Sequence, residues 1–299
     1  MKKLIAVLSA LVILSLAGAA LAETQLIGVP NDGTNLSRAI KLLEAAGFIE
    51  VDPAAGYTPE LKDVTKYLYD IEISPVAANT LTSTLDDYAG ATINGTYSIS
   101  FGLNPNTDGL IIEKQNEGED NPYVNVIVAR TAEKDNEIYK KIVEAYQTQA
   151  VAEYTLVDGK YASFPAFPYD AENISLTEAD LPAIIAYESP REGKQVVRVG
   201  VCGSKHDSWK LIQRLLDEQN AGIYIEIVEF DAYNLPNEAL NSGDIDLNAL
   251  QHKAYLANDC AANGYDLTPI GDTAIAPLTL YSKKFDSVDA IKEAAGKLE

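Results

Sequence analysis

The sequence predicts an α/β protein of two lobes, each a mostly parallel sheet flanked by helices. Three observations carry this. Residues 26 to 47 read as strand, turn and helix; the same grammar returns after residue 195; and two short acidic-then-apolar segments, Asp87 to Asn94 and Asp244 to Ala249, echo one another.

The first unit begins with the strand Leu26-Ile27-Gly28-Val29 and the polar turn Pro30 to Asn35. A helix follows, with Leu36, Ala39, Ile40 and Leu43 on one face and Gly47 as its stop. In the second unit Val196 to Val201 is a strand. Asp207 or Ser208 caps a helix whose apolar stripe is Trp209, Ile212, Leu215 and Leu216, and Tyr224 to Val228 is the next strand. Strands alternating with helices imply parallel sheets covered on both faces. Each echo segment ends on a polar residue at the carboxyl end of a short strand, where open α/β sheets bind ligands, so two such lobes facing each other make a cleft. Between about 156 and 195 the periodicity fails, and Pro165, Pro168, Pro182 and Pro190 punctuate an acidic linker or wrapping arm.

The chain has 299 residues, with 23 Lys+Arg against 44 Asp+Glu, a net charge of −21. So acidic a surface repels nucleic acid and anionic bilayers, while 47% hydrophobic residues are too many for a disordered acidic chain. Residues 1–22 read as an export signal: Lys2 and Lys3, an apolar run from Leu4 to Leu16, and the cleavage site Ala20-Leu21-Ala22. Removing 22 residues leaves 277, and losing Lys2 and Lys3 takes the charge from −21 to −23. Ala19 stands where a lipid-bearing Cys might sit, so no lipid attachment is expected and the protein is placed in the periplasm or at the cell surface. Cys202 and Cys260 read either as two buried thiols or as a bridge, the thiols being the favoured reading.

Catalytic constellations are scarce. His206 and His252 are the only histidines, no H-E-x-x-H or paired-Cys spacing occurs, and Ser204 lacks the second Gly of a nucleophile elbow, so no enzyme, metal or cofactor is expected. Arg38 is placed in the first turn of the helix opened by Thr34 or Asn35, where a cation opposes the macrodipole and can grip an anion; the alternative is a surface Arg paired with a nearby carboxylate. Leu250 to Tyr255 is expected to open a helix with His252 and Tyr255 on one face, and Tyr233 falls in the polar loop Asp231 to Asn237.

Further blocks are recognisable. Phe230-Asp231-Ala232-Tyr233-Asn234-Leu235-Pro236-Asn237, Gly243-Asp244-Ile245-Asp246 and Gln251-His252-Lys253-Ala254-Tyr255-Leu256 closely resemble the NlpA-type methionine-binding proteins of ABC importers. So do Val29 to Asn35 with Arg38, Ile93-Asn94-Gly95-Thr96-Tyr97, Gly102 to Pro105, and Pro122 to Val128. The blocks come in the wrong order: residues 23 to about 169 resemble the family's later portion and about 196 to 299 its early portion. This looks like a circular permutation in which 170–195 join the old ends. The rival is a chain cut from a tandem duplication that completes its fold by exchange with a second copy.

The resemblance implies a two-lobed, type II periplasmic-binding-protein-like fold. One lobe is expected at 23–104, completed by about 284–299; 105–169 returns into the other lobe, which continues over 196–283. It also implies an exported substrate-binding protein that closes on L-methionine and delivers it to an ABC permease, as a monomer or an exchanged dimer. Arg38 would hold the ligand carboxylate and Asn94 and Asn125 the amino group, with the side chain among Tyr233, His252 and Tyr255. Leu250 stands where the family has Phe, losing a sulfur–aromatic contact of about 0.3–1.5 kcal/mol. Another small amino acid, a short peptide, or a non-transport sensor or surface role are the alternatives. Replacing Arg38 by Ala is expected to abolish binding with little loss of stability.

Overall fold

The computed structural model describes residues 23–56, 58–114 and 121–298; the expected export signal at 1–22 lies outside them. β1 (Gln25–Pro30) turns into α1 (Gly33–Ala45), and β2 (Ile49–Val51) pairs with β3 (Val64–Tyr67) before β4 (Ile71–Val76). β5 (Gly90–Ile93), α2 (Gly95–Ser100), α3 (Pro105–Asp108) and β6 (Gly109–Ile112) follow. The chain then crosses to β7 (Asn125–Arg130), α4 (Glu137–Tyr146), α5 (Gln149–Asp158), β8 (Phe164–Pro165) and α6 (Leu181–Ile185). Next come β9 (Gln195–Cys202), α7 (Ser208–Glu218), β10 (Ile223–Phe230), α8 (Pro236–Ser242), β11 (Leu247–His252), α9 (Lys253–Asn263) and β12 (Leu267–Asp272). A second crossing through β13 (Ala274–Ile275) reaches β14 (Thr279–Tyr281) and α10 (Val288–Ala295).

Two five-stranded sheets result, ordered β4-β1-β5-β14-β6 and β10-β9-β11-β7-β12. They share one plan. In each, three parallel strands (β4, β1, β5 and β10, β9, β11) meet a strand arriving from the other lobe, β14 or β7, which runs antiparallel beside the departing β6 or β12. The sheets are therefore mixed, not mostly parallel, because each lobe lends the other a reversed strand. The internal echo is structural: β5 and β11 occupy the same place in the two sheets. β1 and β9, the middle strands of the two parallel trios, each carry a glycine for close packing; a Cβ at Gly28 would lie 2.9 Å from Leu81, and one at Gly200 2.5 Å from Ile245.

The apolar stripes predict the core well. Ile27, Ile40, Leu43 and Phe48 are wholly buried in the first lobe, as are Val199, Ile212 and Leu216 in the second. Each contributes about 1.5–3 kcal/mol relative to exposure. Gly47, at φ +74°, supplies the left-handed residue just past α1. Cys202 and Cys260 are both free thiols.

Three expectations are corrected. Strand pairing assigns β6 and β14 to the first sheet, although the expected boundaries put 105–169 and 196–283 in the other lobe. Both strands lie beside the crossings, where composition does not change. Residues 250–252 continue β11, and α9 starts only at Lys253 with His252 as its N-cap. The short polar run there reads as helix only until the ladder to β7 is available. Finally, Asp32 caps α1 from outside and Gly33 is the first helical residue, so Arg38 falls in the second turn and the macrodipole has little hold on it.

Of the two readings of residues 170–195, the wrapping arm is what forms. Tyr169, Leu176, Leu181 and Ile184 pack on the second-lobe core. Glu153 accepts bonds from Ser175 N (3.0 Å), Ser175 Oγ (2.9 Å) and Leu176 N (2.8 Å), and Asp217 accepts from Tyr187 Oη at 2.8 Å. Among the described residues, no helix is long and apolar enough to cross a membrane.

Candidate functional site

The turn between β1 and α1 builds a polar relay. Asp32 accepts from Asn35 N at 2.9 Å, closing the start of α1, and its two carboxylate oxygens also take Asn35 Nδ2 at 3.0 and 3.1 Å. Asn35 Oδ1 therefore faces the other way, accepting from Arg38 Nη1 at 3.0 Å and from Asn94 Nδ2 at 2.9 Å. Burial raises the pKa of Asp32, against its bonds from Asn35 and the charge of Arg38.

Arg38 is only 4% exposed. Its Nε donates to Glu113 Oε1 at 3.0 Å, and Nη2 donates to Glu113 Oε2 and to the Ala276 carbonyl at 3.3 Å. Burial disfavours its charge, but the ion pair and hydrogen bonds with Glu113 outweigh that and raise its pKa. Of five guanidinium N–H groups, these contacts leave one on Nη1 without a partner among the described residues. Arg38 is thus paired with a carboxylate, as the alternative reading held, but inside the cleft and not on the surface.

Asn94 follows β5 and stands at the N-cap of α2; its Oδ1 is buried without a hydrogen bond. From the second lobe, Asn125 begins β7 and donates to the Ala274 carbonyl at 3.0 Å. His252 ends β11, and its Nδ1 accepts from Tyr255 N at 3.1 Å. A ring accepting at Nδ1 carries its proton on Nε2, which is buried and unpartnered. Burial first and then the charge of Arg38 push the His252 pKa well below its ordinary value, so the ring is neutral.

Aromatic rings close the other walls. Tyr233 stacks at a tilt on Tyr97 with centroids 4.9 Å apart and meets Tyr255 edge-on at 6.0 Å; His252 meets Tyr123 at 5.2 Å and Tyr255 at 6.4 Å. Arg38 lies 4.8 Å over the Tyr123 ring. Arg38, Asn94, Asn125, Tyr233, Leu250, His252 and Tyr255 all line one small cavity between the lobes, so the fold brings together every residue expected at the site. The lobes are also joined by Asn258 Nδ2 to Thr34 Oγ1 (2.9 Å) and Asn106 Nδ2 to the Lys160 carbonyl (2.9 Å).

Sequence reasoning missed Asn35 and Glu113. Asn35 carried a signal, an amide three residues after a capping Asp. Glu113 carried none: it is 75 positions from Arg38, one residue past β6 where the chain leaves the lobe, and it also accepts from Leu278 N at 3.0 Å. No group of three or more His, Cys, Asp or Glu able to hold a metal occurs among the described residues.

Two α/β lobes with a cavity of converging donors, acceptors and rings between them define a cleft-type small-ligand site. The profile of the NlpA lipoprotein family matches residues 18–167 and 197–296, and the chain belongs to that family. It is similar to the D-methionine-binding lipoprotein MetQ of Escherichia coli, 40% identical over 129 residues, which is 42% of this chain and 46% of that protein. It is also similar to outer membrane lipoprotein 3 of Mannheimia haemolytica, 41% identical over 133 residues, 44% and 49% of the two chains. The chain thus spans about half the length of the curated relatives it matches. Among solved structures, the methionine-binding protein MetQ is 37% identical over 48% of this chain and 57% of its own, with a TM-score of 0.44. A nutrient-binding protein from Burkholderia cenocepacia bound to methionine is 31% identical over 47% and 58%, with a TM-score of 0.43.

Proposed function

We propose that this chain is an exported substrate-binding protein of an ABC importer, closing its lobes on L-methionine or a close analogue. The observation that carries the reading is the convergence of the seven residues expected from the resemblance on one cavity with complementary unsatisfied atoms. The unpaired Nη1–H of Arg38 takes the ligand carboxylate, with the Nε2–H of His252 as a further donor. Asn94 Oδ1 takes the ammonium, beside Asn125. Tyr233, Tyr255, the His252 ring and Leu250 enclose the thioether chain. A ligand touching both lobes favours the closed arrangement over an open one, which is how binding becomes a signal to a permease.

The reversed order of the family blocks is read as a circular permutation. Support comes from the profile match breaking between 167 and 197, where the arm wraps the second lobe, and from relatives matching over only half their length. Both five-stranded sheets are complete within one chain, which supports a monomer over a segment-exchanged dimer.

A second reading, another apolar amino acid, is favoured by Leu250, an aliphatic wall only 9% exposed. Calorimetric titration of the mature chain against a panel of amino acids tests both. Methionine is expected to bind at micromolar concentration or tighter; a different preferred amino acid would select the second reading. If no amino acid raises the melting temperature at millimolar concentration, the transport reading fails.

A further inference from the structure

β11 pairs irregularly with β7. Asn248 stands opposite Val128, Gln251 opposite Val126 and His252 opposite Asn125, so three steps along β11 are matched by two along β7. One extra residue is taken up between Asn248 and Gln251 as a β-bulge. In an unbroken strand, residues three apart point to opposite faces. Here Asn248 and Gln251 share a face, because Gln251 Nε2 donates to Asn248 Oδ1 at 2.9 Å and both amides reach Asn237 at the start of α8. With those two turned toward α8, Leu250 and His252 are turned away from it. Both line the cavity, His252 beside its cross-strand partner Asn125. An unbroken strand that kept Asn248 under α8 would carry Leu250 and His252 there as well, since the three alternate along one face.

Three buried amides, those of Asn237, Asn248 and Gln251, span the bulge. Asn237 Nδ2 donates to Gln251 Oε1 at 2.8 Å and to Asp259 Oδ2, on α9, at 2.7 Å. Its Oδ1 accepts from Gln251 Nε2 at 2.6 Å and from Asn248 Nδ2 at 2.9 Å. A carboxylate accepts and does not donate, so Asp259 fixes which way the Asn237 amide faces, and Asn237 in turn orients the other two. Every side-chain nitrogen and oxygen of the three amides is thereby bonded, as a buried polar network requires.

We propose that Asn237 is a positioning residue of the ligand site, locking through Asn248 and Gln251 the bulge that aims Leu250 and His252 into the cavity. Asn237 does not itself line that cavity. Removing its amide leaves Gln251 Oε1 without this donor, and Asn248 Nδ2 and Gln251 Nε2 without their shared acceptor. The cost of those buried groups falls on the bulged arrangement, and the register of β11 is no longer pinned. The effect on affinity rests on the amino-acid-binding reading above; the effect on the His252 ring does not.

The test combines methionine calorimetry with proton–carbon NMR of the histidine rings in the mature chain. His206 and His252 are the only histidines, so His206 is an internal control. The ring currents of Tyr123 and Tyr255, 5.2 and 6.4 Å from the His252 ring, make its signals report where it points. Asn237→Ala is expected to weaken methionine at least about tenfold and to shift the His252 signals but not those of His206. Leu240→Ala, on the same helix and in the apolar cluster beneath it, should destabilise the fold while leaving methionine within about twofold and His252 unshifted. Asp259→Asn keeps the shape but frees the amides to turn over, and should weaken methionine about three- to tenfold with a shift at His252. The proposal is overturned if Asn237→Ala leaves the His252 signals in place, or if Leu240→Ala weakens methionine as much as Asn237→Ala does. Should Asn237→Ala not fold, Asp259→Asn decides alone, and behaviour like the parent's would overturn the proposal. If the parent chain binds no amino acid, the function proposed above fails, and the His252 signals alone decide whether Asn237 positions that ring.

Discussion

The side-chain nitrogen of Asn94 donates to Asn35 Oδ1 at 2.9 Å, and that single bond sets the polarity of the cavity. Asp32 takes Asn35 Nδ2, so Asn35 must turn its oxygen toward Arg38 and Asn94. Asn94, its nitrogen engaged, can offer only Oδ1, which is buried and unsatisfied. The relay selects a ligand that brings a donor, such as an ammonium group. An orphaned buried acceptor costs about 1–3 kcal/mol until that donor arrives.

Replacing Asn35 by Ala should free the Asn94 amide to turn. Affinity for methionine is expected to fall about tenfold, near 1.4 kcal/mol, and discrimination against the analogue lacking the amino group should shrink. Titration calorimetry with both ligands measures this; unaltered discrimination would remove Asn35 from the relay.

Arg38→Ala should abolish binding, but it should also destabilise the fold, contrary to the expectation from sequence. Arg38 and Glu113 have side-chain exposures of 4% and 16%, and removing one member of such a buried pair costs about 3–5 kcal/mol. The double variant Arg38→Ala, Glu113→Gln should recover part of the stability and none of the binding. Thermal melts and titrations of all three chains decide it, and a fully stable Arg38→Ala protein would contradict the pairing.

The pH dependence has a definite sign. His252 is held neutral in the folded chain, with its pKa well below 6.5, while an unfolded histidine titrates near 6.5. Below that pH the unfolded state binds a proton that the folded state refuses, so stability is full above about pH 6.5 and falls by up to about 1.4 kcal/mol per pH unit below it. Melting curves between pH 8 and 5 should show the decline, and His252→Gln should flatten it. Methionine affinity should stay level between about pH 6.5 and 8, since His252 changes charge at neither end of that range.

The arm at 170–195 hangs on Glu153, whose carboxylate accepts three bonds from Ser175 and Leu176 and one from Gln149. Burial opposes its charge, but those bonds prevail and lower its pKa. Glu153→Leu is expected to release the arm and make it the first site of limited proteolysis, with ligand affinity unchanged because the arm is remote from the cavity. Protection equal to the parent protein would show that Tyr169 and Ile184 hold the arm without Glu153.

The sequence alone determined the elements with strong periodicity. The apolar stripes of α1 and α7, the β1 and β9 strands with their close-packed glycines, and the echo of β5 in β11 were all legible, because side-chain spacing reports directly on which face is buried. The site residues were legible through block resemblance, not from chemistry alone, since a lone His or Arg has no local signature. Tertiary structure decided the rest. It made the sheets mixed, carried β6 and β14 back to the first lobe, ran β11 on through His252, and brought Glu113 to Arg38 across 75 residues. Each depends on partners distant in sequence: a ladder, an ion pair and a crossing exist only when the second strand or charge arrives, and no local pattern of residues records that arrival. The net charge of −21 foretold an acidic outside; only the fold shows that the cation meant for a ligand is already held by Glu113.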